Sequence, residues 1–363
     1  PGVASSVDRI DYSNDTPTAA AKGPLSLARY GLGASSSQAN GITAGTLFPA
    51  STVRENVAPQ GADFGYFGGG NTGSNASTVD RIDYSNDTAT ASVKGPLSLA
   101  RRYLAATGNA NFGYFGGGDP ALSTVDRIDY SNDTATAAAK GPLSNGRHSL
   151  AATGNANFGY FGGGWAPNSS SSVDRIDYSN DTPTASAKGP LSAARDGLIA
   201  TGNLSFGYFG GGNGAVSTVD RIDYSSDTAT ASPKGPLSFG RDQLGATGNA
   251  DFGYFGAGHP AKSTVDRIDY SNDTATASVK GPLSVGRHAL AATGNSSFGY
   301  FGGGTPGPKS TVDRIDYSND TVDAVEKGPL IAARHYLGAT GNSFFGYFAG
   351  GGPQPAPVST VER

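Results

Sequence analysis

Phe112–Gly118 reads FGYFGGG, and six near-copies of that stretch begin at Phe64, Phe158, Phe206, Phe252, Phe298 and Phe345. Two of them carry an alanine where the others have glycine, Ala257 and Ala349. A second segment, VDRIDYS, recurs in step, starting at Val7, Val79, Val125, Val173, Val219, Val265 and Val312. Successive starts lie 72, 46, 48, 46, 46 and 47 residues apart, and the terminal VER at Val361 follows after 49. A period in the mid-forties suits a four-stranded propeller blade. Helical repeats of that length need apolar residues at i, i+3, i+4 and i+7. The interval here is crowded with Gly, Thr, Asn and Pro, and no window keeps that spacing.

The second unit serves as a template. Tyr103–Thr107 is short and apolar, and Gly108-Asn109 behind it suits a tight hairpin turn. Phe112–Phe115 makes the next strand. Alternation sends Phe112 and Tyr114 to one face and Phe115 to the other, so both faces carry aromatic rings, as a blade sandwiched between two others requires. The following glycines allow positive φ and close backbone approach. Ser123–Tyr130 reads as a third strand and Ser131-Asn132-Asp133 as a turn, whose polar side chains can bond their own backbone. Thr134–Ala139 is expected to form the outer strand, ended by Lys140-Gly141-Pro142, with Leu143 filling the gap between blades.

This pattern resembles the kelch repeat. The likeness lies in the glycine run closing the second strand, in VDRIDYSNDTA where kelch units carry a related segment, and in Pro-Leu-Ser…Arg leading to the next unit. Ile128 stands at the usual kelch tyrosine and Ala135 at the usual tryptophan, which moves the packing onto the Phe-Tyr-Phe strand. The near-identity of the units also resembles the repetitive kelch-like proteins of marine phages and other viruses. The expected fold is all-β: a seven-bladed β-propeller of four-stranded antiparallel blades in one domain over 1–363. The sequence units are 7–78, 79–124, 125–172, 173–218, 219–264, 265–311 and 312–360. The first is longer, with an insertion at about 33–60. Because the chain starts inside a unit, Ser5–Tyr12 is expected to complete a composite blade with the strands of Arg334–Gly350, displacing the redundant Val358–Arg363.

The composition of the 363 residues narrows the function. Apolar content is only 36%, yet the 55 glycines fall at fixed places beside aromatics, so the chain reads as folded. A net charge of −4 argues against a nucleic-acid partner held through phosphates. Cysteine is absent, which removes disulfides, thiolate nucleophiles and cysteine metal sites. Methionine is absent too, even at position 1, as expected of a processed product or part of a longer chain. No apolar run is long enough for a membrane span.

Differences among the seven units mark the candidate binding residues. The loops after the glycine runs vary most: Asn71–Ala76, Asp119–Leu122, Trp165–Ser171, Asn213–Val216, His259–Lys262, Thr305–Lys309 and Pro353–Val358. A second varied zone follows the repeated Arg29, Arg101, Arg147, Arg195, Arg241, Arg287 and Arg334, with Tyr30, Arg102, His148, Asp196, Asp242, His288 and His335 next in line. In a four-stranded meander both zones lie at one end of the blades, and varied loops on a rigid scaffold are a common way to build a binding surface. Solvent-exposed drift is the plainer reading. The candidate contacts are Trp165, His148, Tyr103, Tyr336, His259, His288 and His335; Trp165 suits sugar stacking or local packing. The seven arginines read either as a ring at the channel mouth for an acidic ligand or as blade-to-blade struts paired with aspartates such as Asp126 or Asp129.

Catalysis and cofactors are not expected. His148, His288 and His335 occupy equivalent positions, but no cysteine or HxH spacing supports zinc. The DYSNDT turn lacks the twelve-residue loop and glutamate of an EF-hand calcium site, although it carries a glycosylation sequon in six units. A galactose-oxidase-like site would need cysteine, sialidase-type SxDxGxTW boxes are missing, and no Ser-His-Asp or paired-carboxylate set stands out. These readings lead to a non-catalytic propeller, extracellular or on a virion surface, that attaches to a glycan or protein receptor through one face. The alternative is a structural building block of a fibre, sheath or capsid decoration, touching neighbouring subunits. A kelch-type enzyme is the remaining class.

Overall fold

In the computed structural model, residues 3–36 and 64–352 are described. They form seven four-stranded antiparallel sheets and no helix. The sheet of the template unit runs from Ala105–Gly108 at the axis through Phe112–Gly116 and Val125–Asp129 to Ala138–Lys140 at the rim. The innermost strands neighbour one another in a closed cycle, that of Gly338–Gly341 returning to that of Gly33–Ser36. Blades are numbered here from the one containing Gly33–Ser36, so the template is blade 2.

Blade 7 is composite. Its two inner strands are Gly338–Gly341 and Phe345–Ala349, and its two outer strands are Val7–Asp11 and Ala20–Lys22 from the other end of the chain. The register pairs Val7 with Ala349, Arg9 with Tyr347 and Asp11 with Phe345. The N-terminal copy thus holds the third-strand place, as chain-closure entropy favours. The expected displacement of Val358–Arg363 lies outside the described residues.

Alternation in the FGYF strand produces the blade interfaces. Tyr114 and Phe115 are both fully buried, on opposite faces. Tyr114 stacks on Tyr178 of blade 3 at 4.7 Å between centroids. Phe115 turns the other way and packs with Tyr66, Leu104 and Tyr130. Its ring lies against Gly68 of blade 1, where a Cβ would sit only 2.9 Å from it. The glycine ending six of the seven such strands is therefore a seat for the next blade's phenylalanine, and Ala349 ends the strand of blade 7. Burying rings of this size stabilises the fold by about 2–3 kcal/mol each. Leu143 is buried between Tyr114 and Phe161 of neighbouring blades, as expected.

Three local readings are corrected. Gly108 belongs to the strand, and the hairpin loop starts at Asn109, whose Oδ1 accepts from the amides of Asn111 at 2.9 Å and Phe112 at 3.0 Å. A side-chain cap, not a two-residue Gly-Asn turn, closes that hairpin. The outer strand is only Ala138–Lys140, because Ala137 is tied to the previous blade through its amide and the Pro96 carbonyl at 2.8 Å. Short rim strands also leave little edge for another chain to pair with. Finally, Gly33–Ser36 is the innermost strand of blade 1, so the insertion cannot begin at 33; the rest of it lies outside the described residues.

A repeated three-donor clamp ties each blade to the next. In the template, Asp181 of blade 3 accepts from Tyr114 Oη at 2.8 Å and Arg127 at 2.8 Å, with Lys140 Nζ at 3.2 Å, all from blade 2. The same set recurs around the ring and crosses the closure, where Asp15 receives Tyr300, Arg314 and Lys327. Burial works to raise the Asp15 carboxyl, but the Tyr300 and Lys327 hydrogen bonds and the two cations outweigh it, and its pKa falls below the ordinary 3.8. A carboxylate with a depressed native pKa gives stability that is complete above the unfolded value and lost as pH falls through the native one. The unfolding free energy should accordingly be level above about pH 5 and drop below about pH 4. A denaturant series against pH that stayed flat through that interval would contradict the clamp.

Candidate functional site

The chain passes from one blade to the next across the face where the second and third strands connect. There each repeated arginine is followed by two residues that reach the axis. The second of the two takes positive φ in every blade: Gly31, Tyr103, Ser149, Gly197, Gln243, Ala289 and Tyr336, between 51° and 65°. Their main chains hydrogen-bond in a closed circle, each amide donating to the carbonyl of the preceding blade at 2.8–3.1 Å. Five of the seven are not glycine, though a left-handed conformation costs a side-chain-bearing residue roughly 1–2 kcal/mol. Strain of this kind gathers at functional places. With the main chains of the circle engaged with one another, side chains give the mouth its chemistry.

The mouth is asymmetric. On one side Tyr103 and Tyr336 meet edge to face at 6.3 Å, and Tyr30 lies 6.4 Å from Tyr103. Arg102 sits over Tyr103 at 5.0 Å and bonds Tyr30 Oη at 3.0 Å and Asp119 at 2.9 Å. Tyr336 Oη reaches past blade 6 to donate to Gln243 Oε1 at 3.0 Å. On the other side stand Asp196, held by Ser169 Oγ at 2.7 Å, and the buried Asp242. Burial raises the Asp242 carboxyl, and the neighbouring His259 and His288 only partly offset it. Burial also lowers His288 and His335 below the ordinary 6.5, so both imidazoles are uncharged at neutral pH.

The two varied zones do meet. Backbone bridges join Arg102 to Asp119, His148 to Trp165, Asp242 to His259, His288 to Thr305 and His335 to Gly352. Trp165 is partly exposed beside His148, and His259 meets His288 at 5.1 Å between ring centroids. His148, His288 and His335 do not gather as a trio: His148 lies by Tyr103 and Ser149, and His335 by Tyr336 and the Gly352 carbonyl. Among the described residues no group of three His, Cys, Asp or Glu is placed to hold a metal.

The arginines are buried struts paired with aspartates, not a ring at the mouth. All seven are buried, which removes them from the channel mouth. Arg101 pairs with Asp126 at 2.8 Å and donates to the Phe115 carbonyl at 2.9 Å, both in its own blade. The same pairing holds from Arg29 with Asp80 round to Arg334 with Asp8. Asp126 is the partner foreseen, and the strut does join two blades: the Arg101 amide donates to the Ala76 carbonyl of blade 1 at 3.0 Å, and its carbonyl accepts from the Gly70 amide at 2.8 Å. The clamp aspartates, such as Asp181, bridge the blades as well. Asp129 spends its Oδ1 on Ser131, amide at 2.9 Å and hydroxyl at 2.6 Å, which makes a local Asx turn. Sequence reasoning missed Gln243 and left Asp196, Asp242, Tyr30 and Arg102 out of the candidates, although the last four stand in the varied column beside the arginines.

No family model matches this chain, and no curated protein does. Among solved structures it is similar to that of YjhT, with 13% identity and a TM-score of 0.55 over 68% of this chain and 88% of that one. The likeness shows the propeller fold. Among the described residues no helix is long and apolar enough to cross a membrane.

Proposed function

We propose that this chain is a non-catalytic, kelch-like binding propeller of an extracellular or virion surface, which attaches to a glycan or protein receptor through the face that carries the axial mouth. One observation carries the reading: the two zones in which the near-identical units differ most, the loops after the glycine runs and the residues after the arginines, meet on this face around strained residues at the axis. The interfaces, by contrast, repeat the same clamp and arginine pair in blade after blade. Rigid repetition below and chemical variety above is the arrangement of a scaffold bearing a recognition surface.

A second reading, a building block of a fibre, sheath or capsid decoration, draws on exposed apolar side chains of the rim strands, Val93, Val279 and Val325. The two readings place the contact on different surfaces. Exchanging Trp165–Ser170 for the Asp119–Leu122 loop of blade 2 removes the one tryptophan while keeping a loop native to this ring. Attachment on a glycan array or to an isolated receptor is expected to weaken by about tenfold, one buried aromatic's worth of contact. The melting temperature should hardly move. Unchanged attachment would count against this face.

A further inference from the structure

Several polar groups at the mouth converge without pairing. Asp242 is 8% exposed, and its Oδ1 has no hydrogen-bond partner among the described residues. His259 Nδ1 stops 3.6 Å away, beyond hydrogen-bond reach. His288 Nδ1 is likewise buried and unpartnered. Gln243, next in the chain, gives its Oε1 to Tyr336 and keeps its amide hydrogens as donors. Buried polar atoms left open in a native fold call for a ligand, an ion or water.

We propose that Asp242, Gln243, His288 and Tyr336 form a seat for one neutral pyranose ring of a glycan. This rests on the reading of the varied face as a binding surface and names what the centre of that face takes. A carboxylate accepts from two adjacent hydroxyls, an imidazole nitrogen and an amide exchange further hydrogen bonds, and a tyrosine ring covers the C–H face of a sugar. Charge selects against the other ligands such a mouth invites. The aromatic side already holds a cation, the Arg102 guanidinium over Tyr103, so a second one meets repulsion. Asp196 and Asp242 repel an acidic ligand. His288 and His335, lowered by burial, bring no charge at neutral pH. A neutral, hydroxyl-rich ring satisfies the open atoms at no Coulombic cost.

Saturation-transfer NMR on the full chain tests this with four probes, D-galactose, D-glucose, D-mannose and N-acetyl-D-glucosamine, and with N-acetyl-lysine methyl ester as a cationic control. At least one pyranose should bind with a dissociation constant of order millimolar, as suits a single ring. Asp242→Asn should weaken it by about tenfold or more. Gln243→Ala should weaken it as well, and it keeps the fold because Ala289 already occupies the equivalent position at φ 54°. Absence of transfer from all four sugars, or equal transfer with Asp242→Asn, overturns the proposal. Binding of the lysine ester in place of the sugars also overturns it. Where receptor attachment still depends on the Trp165 loop while the pyranoses fail, the sugar seat falls and the binding-face reading stands.

Discussion

Replacing Arg101 with alanine is expected to destabilise the propeller by about 3–5 kcal/mol, the usual result of stripping one partner from a buried ion pair. Arg101 and Asp126 are both wholly buried and 2.8 Å apart. The variant leaves the Asp126 carboxylate in the blade with only the Ser98 amide, at 3.0 Å, to face it. It also frees the linker that Arg101 fastens to the Phe115 carbonyl. Equilibrium denaturation in urea reads the loss directly. The double variant Arg101→Met with Asp126→Leu separates charge from packing. Exchanging a whole buried pair for apolar side chains is often close to neutral, so this chain should regain most of the lost stability. A loss under about 1 kcal/mol for the single variant would return the arginine to a surface role.

Asp181→Ala is the second large effect, expected to cost about 3 kcal/mol, because three donors from blade 2 lose one acceptor together. Burial first, and the hydrogen bond to Asp181 next, push the Tyr114 hydroxyl pKa far above its usual value. That hydroxyl therefore stays protonated and needs its acceptor. Arg127 would keep its place over the Phe112 ring at 4.3 Å, which limits the damage. Asp129→Ala in the preceding repeat is the comparison. Its partly exposed carboxylate bonds only its own turn, at Ser131, and about 1 kcal/mol is expected. Equal losses in urea denaturation for the two variants would contradict the distinction between blade clamp and turn.

Much of the architecture is legible because the FGYF strand states it twice over. Alternation puts Tyr114 and Phe115 on opposite faces, and only a blade between two neighbours buries both. The outer strand was less legible. Thr134–Ala139 alternates like a strand, but the tie from Ala137 to Pro96 of the preceding blade is a tertiary contact that no local pattern announces. Asp181 and its equivalents were concealed by a sufficient local explanation: a polar turn accounts for Ser-Asn-Asp without calling on another blade. The site itself was half visible. The varied column beside the arginines identified the face, and Trp165 and His148 do meet there. The axial circle was not visible, since only Gly31 and Gly197 of its seven members advertise positive φ. Nor could a linear sequence bring Tyr336 to Gln243, two blades apart, before the ring is closed.

Amide hydrogen exchange on the chain with and without its bound glycan or receptor is the most direct test of where recognition occurs. New protection is predicted at the axial residues 29–31, 101–104, 147–150, 241–244, 287–290 and 334–337 and in the loops facing them, with the rim strands and the Asn-capped hairpins unchanged. Protection concentrated on the rim strands around Val93, Val279 and Val325, with the mouth exchanging as before, would contradict the account.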